Sequence, residues 1–181
     1  MKHQSFFMRS ASAMAVTAAF GAAALAAAPE AGSVIGNQAV ATYTNQAGDT
    51  ITVTSNTVET IVQQVAGVTL TSDNNETIAP GGKAFLPHIV TNEGNGADFF
   101  ALTAVETNTG TLDTSAIVFY PDANMDGVAD SATPLTATPT LAPGEQFGVV
   151  IEVSVPSNAT GSDSITVTAR SDLDGTSTAV N

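Results

Sequence analysis

The sequence predicts an all-β protein, and three observations carry that prediction. Beyond its first 26 residues the chain is rich in Thr, Val, Ser, Gly and Asn, types that favour strands and turns over helices. Apolar and polar residues alternate there with a period of two. Clusters of Gly, Pro, Asn and Asp break the alternation at short intervals.

The first segment stands apart. Lys2, His3 and Arg9 give a positive start, and the apolar, Ala-rich run from Ala11 to Ala28 follows. Small residues then offer an A-x-A cleavage site, the pattern of a secretory signal peptide. Cleavage is placed after Ala24-Leu25-Ala26, because a cut after Ala28 would leave Pro29 at the first mature position. The run is too weakly hydrophobic to read as a retained membrane anchor. Residues 1–26 are therefore expected to be removed, leaving an exported chain with no integral membrane segment.

Next comes a leader, residues 27–65. Asn37 to Thr44 alternates, Asn45-Gln46-Ala47-Gly48-Asp49 turns, Thr50 to Ser55 alternates again, and Asn56 to Val65 supplies a third extended run. So short and polar a unit cannot hold a core of its own. It is expected to pair with the rest of its own chain or with a neighbour.

Residues 66–181 carry the main strands. Phe147 to Val155 is the clearest, with Phe147, Val149, Ile151, Val153 and Val155 on one face and Glu152 and Ser154 on the other. Ser164 to Arg170 repeats the pattern, with Ile165, Val167 and Ala169 inward. Val68 to Leu70, Ala84 to Thr91, Asp98 to Val105 and Ala116 to Tyr120 complete the set. Turns are read at Pro80-Gly81-Gly82, Asn92 to Gly96, Asn108 to Gly110 and Pro143-Gly144. Strands of this length and spacing predict an immunoglobulin-like two-sheet β-sandwich preceded by an extended β leader. With no cysteine and no tryptophan, the chain lacks the Cys–Trp–Cys set of a true immunoglobulin domain. A mature chain of about 155 residues buries enough surface to fold without disulfides.

Composition narrows function. After cleavage only Lys83 and Arg170 stand against 17 acidic residues, a formal net charge of −15. Binding to nucleic acid or to an anionic membrane needs a basic face, so both are excluded. The missing cysteines exclude thiol catalysis, zinc-thiolate sites and iron–sulfur clusters. A cation is the natural small partner, although most of the acids serve solubility.

Several motifs resemble the conserved-repeat domains of bacterial surface proteins, a family related to the domain of unknown function eleven. They are Pro80-Gly-Gly, Thr91-Asn-Glu-Gly-Asn-Gly96, Leu141-Ala-Pro-Gly-Glu145, Val155-Pro156 and Ser164-Ile-Thr-Val-Thr-Ala169. The leader, Val34 to Thr44 with Ser55-Asn-Thr-Val58, resembles the stretch found ahead of the first such repeat. The resemblance implies an immunoglobulin-like sandwich and a surface role. Family members are usually long anchored arrays. Here one repeat, ending at Thr178-Ala-Val-Asn181 without a sorting motif, is expected to depend on assembly or on another surface protein for retention.

The strongest local chemical signal is Asp122-Ala-Asn-Met-Asp-Gly-Val-Ala-Asp130. Asp122, Asn124 and Asp126 stand at positions one, three and five of a calcium loop, Gly127 at the sharp turn, the carbonyl of Val128 at seven and Asp130 at nine. Position twelve is Thr133, so the closing bidentate acid is missing, and Asp98 or Asp113 are the candidates to replace it. The competing reading is a solvent-facing Asx turn. A Ca²⁺ ion here would fix a loop and would perform no chemistry.

Catalysis is poorly supplied. His88 is the one histidine left after cleavage and is expected at a sheet surface. No G-x-S-x-G elbow accompanies it. Without Trp, and with only Tyr43 and Tyr120, a sugar-stacking site has little to build on. In Phe99-Phe100 one ring should enter the core, while the other marks a contact surface or packs beneath the leader. The Asn75-Glu-Thr77 and Asn158-Ala-Thr160 glycosylation patterns carry no role in a bacterial export context. The sequence thus predicts a non-enzymatic structural protein of the cell surface or extracellular matrix, calcium-stabilised and polymerising by β-strand addition. The periplasm is a second compatible destination. The alternative is a monomeric secreted adhesin or carbohydrate- or protein-binding module.

Overall fold

The computed structural model describes residues 28–71, 74–107 and 112–180. The segment 1–26, expected to be a signal peptide, and the turn expected at Asn108 to Gly110 lie outside the described residues.

Eleven strands account for the regular structure of the described residues, and none of it is helical. The sandwich is built from β5 (Val68–Leu70), β6 (Lys83–Asn92), β7 (Phe100–Glu106), β8 (Ala116–Asp122), β9 (Gln146–Ser154), β10 (Ile165–Ser171) and β11 (Thr178–Val180). One sheet has the order β5-β6-β9-β8 and the other β11-β10-β7, with every pairing antiparallel. Four strands facing three in this order is the arrangement of a constant-type immunoglobulin domain.

The two inner faces form the core by alternation. Ala84, His88 and Val90 from β6, Val149, Ile151 and Val153 from β9, Phe100 and Leu102 from β7, and Val167 and Ala169 from β10 are buried. The flank between β7 and β8 is closed by the segment around Leu135 to Leu141. It bridges Phe119, Ala101 and Asp98 in turn and drops Leu141 into the core. Phe100 is fully buried, whereas its neighbour Phe99 is 38% exposed.

His88 also departs from expectation. It sits at an inward position of β6, 4% exposed, because the register that buries Ala84 and Val90 sends every second residue inward. Burial pushes its imidazole below the usual histidine range, against a raising hydrogen bond to Leu86 O.

The leader pairs with itself. Strand β1 (Val34–Asn37) runs against β4 (Val58–Ile61), and β2 (Val40–Thr44) against β3 (Thr50–Thr54). Ala39 and Ser55 bond across the gap between the two ladders, main chain to main chain and N–H to hydroxyl. The result is one two-stranded ribbon, about 36 Å along Val34 to Thr44 at the usual strand rise. Its strands do not add to either sheet of the sandwich.

Candidate functional site

The ribbon is the part of the molecule whose chemistry is unspent. Its tip is a well-made turn: Asn45 Oδ1 accepts from the N–H groups of Ala47 and Asp49, and Gly48 takes a left-handed φ. Register sets the faces. Ala41 lies opposite Val53 and Tyr43 opposite Ile51, while Thr42 and Thr44 lie opposite Thr52 and Thr50. One face of the β2–β3 hairpin is therefore apolar and the other is largely threonine. Val34, Ile35, Val40, Tyr43, Val53, Val58, Ile61 and Val65 are eight of the fifteen large apolar residues exposed among the described residues. Only Asp49 and Glu59 carry charge across Asn37 to Val65, so little blunts the ribbon's edges.

The ribbon is rooted on the loop Asn92 to Ala97, and Asn95 is the joint. Its Nδ2 donates to Pro29 O and Gln63 O, and its Oδ1 accepts from Val65 N–H. Its main chain bonds Ala31 and Val65. Both ends of the leader thus meet one side chain. Asn92, fully buried, holds the loop from below by donating to Gly96 O and Leu141 O. Gly94 is needed for the contact, since a Cβ there would lie 2.6 Å from Val65 O. The sequence marks Asn92 to Gly96 only as a turn. Asn95 as the clamp was not legible, because nothing local links it to Pro29 or Gln63.

The acidic loop follows β8 as predicted and folds across the outer face of the larger sheet. A Cβ on Gly148 of β9 would meet Asp122 O at 2.2 Å and Met125 Cγ at 3.0 Å. The loop passes over that bare backbone and brings Gly127 against Pro87 of β6. Within it, Asp122 is buried. Its Oδ1 accepts from Asp126 N–H and its Oδ2 from Gly127 N–H. Asn124 Oδ1 takes Asp126 N–H, Asp126 Oδ1 takes Val128 N–H, and Asp130 Oδ2 takes Ala123 N–H. Asp122, Asn124, Asp126, Val128 and Asp130 therefore share one curled loop, in which side-chain oxygens of Asp122, Asn124, Asp126 and Asp130 accept main-chain N–H groups. Among the described residues, no three His, Asp or Glu side chains converge at metal-holding range.

Neither proposed closing acid is placed to help. Asp98 is occupied by Phe99 N–H and the Ser171 hydroxyl. Asp113 precedes β8, at the other end of a seven-residue strand, about 20 Å away by strand rise.

A second feature is a cleft of about 720 Å³ between the sheets, at the end of the sandwich opposite the ribbon's root. Ile78, Leu86, Val153, Ile165 and Val167 line its floor, with His88 deep inside and Asp163 among its polar lining residues. Asp163 Oδ1 accepts from Ser164 N–H, whereas its buried Oδ2 has no hydrogen-bond partner among the described residues.

No known protein-family model matches the chain, and no curated protein matches it. Among the described residues no helix is long and apolar enough to cross a membrane.

Proposed function

We propose that the protein is an exported, non-enzymatic structural subunit of the cell surface or extracellular matrix, assembling with copies of itself by β-strand addition through its leader ribbon. The observation that carries this reading is the ribbon: two strands, apolar on one face of the hairpin, rooted at one end and uncovered elsewhere. An isolated two-stranded ribbon is marginal in water. A sheet edge or apolar surface on another molecule supplies what it lacks. The Ala-rich start of the sequence and the motifs shared with surface-protein repeats support export and a surface setting.

Calcium belongs to the same proposal in a supporting role. An ion held by Asp122, Asn124, Asp126, the Val128 carbonyl and Asp130 would relieve the repulsion of three acids within nine residues, and fix the loop against β6.

Size-exclusion chromatography with light scattering, with calcium and with chelator, tests the reading. Concentration-dependent polymers are expected, and Val53→Asp on the ribbon's apolar face should suppress them. A monodisperse monomer at every concentration would sink self-assembly and favour the monomeric adhesin or binding module.

A further inference from the structure

The cleft between the sheets stands apart from the ribbon, and the chain itself builds its walls. Thr71 bonds Ile89 and Gly82 bonds Ala79, so residues 74–79 run alongside β6 and form one wall. Ile165 and Val167 at the start of β10 belong to the facing sheet. What remains between them is 720 Å³, inside the range of about 300–1,000 Å³ that holds small molecules.

Two polar atoms of this cleft are uncommitted, and both are acceptors. His88 lies at the inner end, five residues into β6 and about 17 Å along the strand from its start. Its ring is buried, and Nδ1 faces Leu86 O. A carbonyl can only accept, so Nδ1 carries the hydrogen and Nε2 is the bare acceptor of a neutral ring. Burial favours that neutral form. Among the described residues Nε2 has no hydrogen-bond partner. Asp163 lies at the outer end, two residues before β10. Its buried Oδ2 also lacks a donor among the described residues. Buried acceptors are ordinarily met by a donor.

The rest of the lining narrows the donor's chemistry. Ile78, Leu86, Val153 and Ile165 make the floor apolar. The charged lining residues are Glu76 and Asp163, with no Lys or Arg among those described, so an anion is repelled at the entrance. No aromatic ring lines the cleft among the described residues, which leaves a sugar without a stacking platform. A metal ion finds no three acidic or histidine side chains converging among the described residues.

We infer that the cleft binds a small organic cation, an ammonium group carried on an apolar body. The ammonium meets Asp163 Oδ2 in a charge-assisted hydrogen bond. The apolar body lies over Ile78, Leu86, Val153 and Ile165, and points toward His88. A hydroxyl at the far end of a longer ligand would donate to Nε2. This site does not depend on the ribbon or on assembly, because its lining residues all lie outside the leader.

Isothermal titration calorimetry on the full chain at physiological salt tests the assignment, with hexylammonium, hexanol and hexanoate as probes of one body and three charges. Hexylammonium is expected to bind saturably at one site, with hexanol at least about tenfold weaker and hexanoate giving no binding heat. Asp163→Asn should weaken hexylammonium by about tenfold or more. Glu59→Gln, which removes the same charge from the ribbon, should leave it unchanged. Equal melting temperatures verify that both variants are folded. Equal weakening by the two variants would mean diffuse attraction to an acidic protein and would overturn the site. Equal affinity for hexanol and hexylammonium, or no hexylammonium heat, would overturn it on the unaltered protein alone, whether or not Asp163→Asn folds. Light scattering on the same samples reports assembly separately, so failure of either proposal is seen independently of the other.

Discussion

Strands β9 and β3 are written in the same alphabet. Val149, Ile151 and Val153 alternate along β9, and Ile51 and Val53 along β3, each separated by residues that face the other way. In β9 the first two are 0% exposed, whereas Val53 remains 49% exposed. Local sequence fixes that both become strands with an apolar face. What differs is the cover: β9 lies between β6 and β8 beneath a second sheet, while β3, among the described residues, has one partner strand and joins neither sheet of the sandwich. An amphipathic strand therefore reports a need for burial, and only topology reports whether that need is met within the chain.

The comparison breaks most easily in the core. Phe100→Ala should destabilise the sandwich by about 3–5 kcal/mol in urea unfolding. Val53→Ser in dilute, unassembled protein should stay within about 0.5 kcal/mol. Equal losses would mean that the ribbon is covered after all.

The joint comes next. Asn95→Ala leaves several main-chain groups at the ribbon's root unpaired, at a cost of about 1–3 kcal/mol. The loss should be local: hydrogen exchange should accelerate at Ala31, Val62 and Val65 while the amides of β9 stay protected.

Calcium should matter less. At about ten times its dissociation constant the ion adds only about 1.4 kcal/mol, a melting shift of roughly 3–6 °C for a chain of this size. Chelation should remove that shift, and Asp126→Asn should abolish it. No shift, together with no calcium heat in calorimetry, would leave the loop a self-satisfied Asx network.

The last effect is confined to mild acid. The unfolded His88 takes up its proton near the ordinary histidine value of 6.5, and the buried one only at lower pH. Stability is therefore complete above that value and declines as pH falls through it toward the lowered native pKa. His88→Gln should flatten the melting temperature across this window. An unchanged slope would show that other groups set it.

Much of the sandwich was legible in the sequence. The six main strands lie where alternation put them, to within a residue or two, because a strand buried on one face needs an apolar residue at every second position. Strand β11 was missed, having three residues and only Ala179 and Val180 with which to signal. The flank-closing segment Leu135–Leu141 was missed for another reason: Pro134 and Pro139 interrupt the alternation, and its bridges to Phe119, Ala101 and Asp98 are isolated ones. His88 was placed outside on its polarity, although its register pointed inward. Of the acidic loop, the spacing gave the curl correctly. It could not give the crossing over Gly148, which depends on a strand some twenty residues later. The ribbon's strands were visible, but their pairing with one another was not, since alternation does not name a partner.

Asn95 also determines how the molecule bears load. The outgoing and returning ends of the ribbon, at Pro29–Ala31 and Gln63–Val65, are fastened to the same residue. A pull at the ribbon's tip therefore reaches the sandwich through two tethers side by side, and these hydrogen bonds share the tension. Asn92 passes it on to Leu141 in the core. If the proposed assembly forms, such a root resists flow as a bracket, and the covalent path through Ala66 and Gly67 into β5 is spared the first strain.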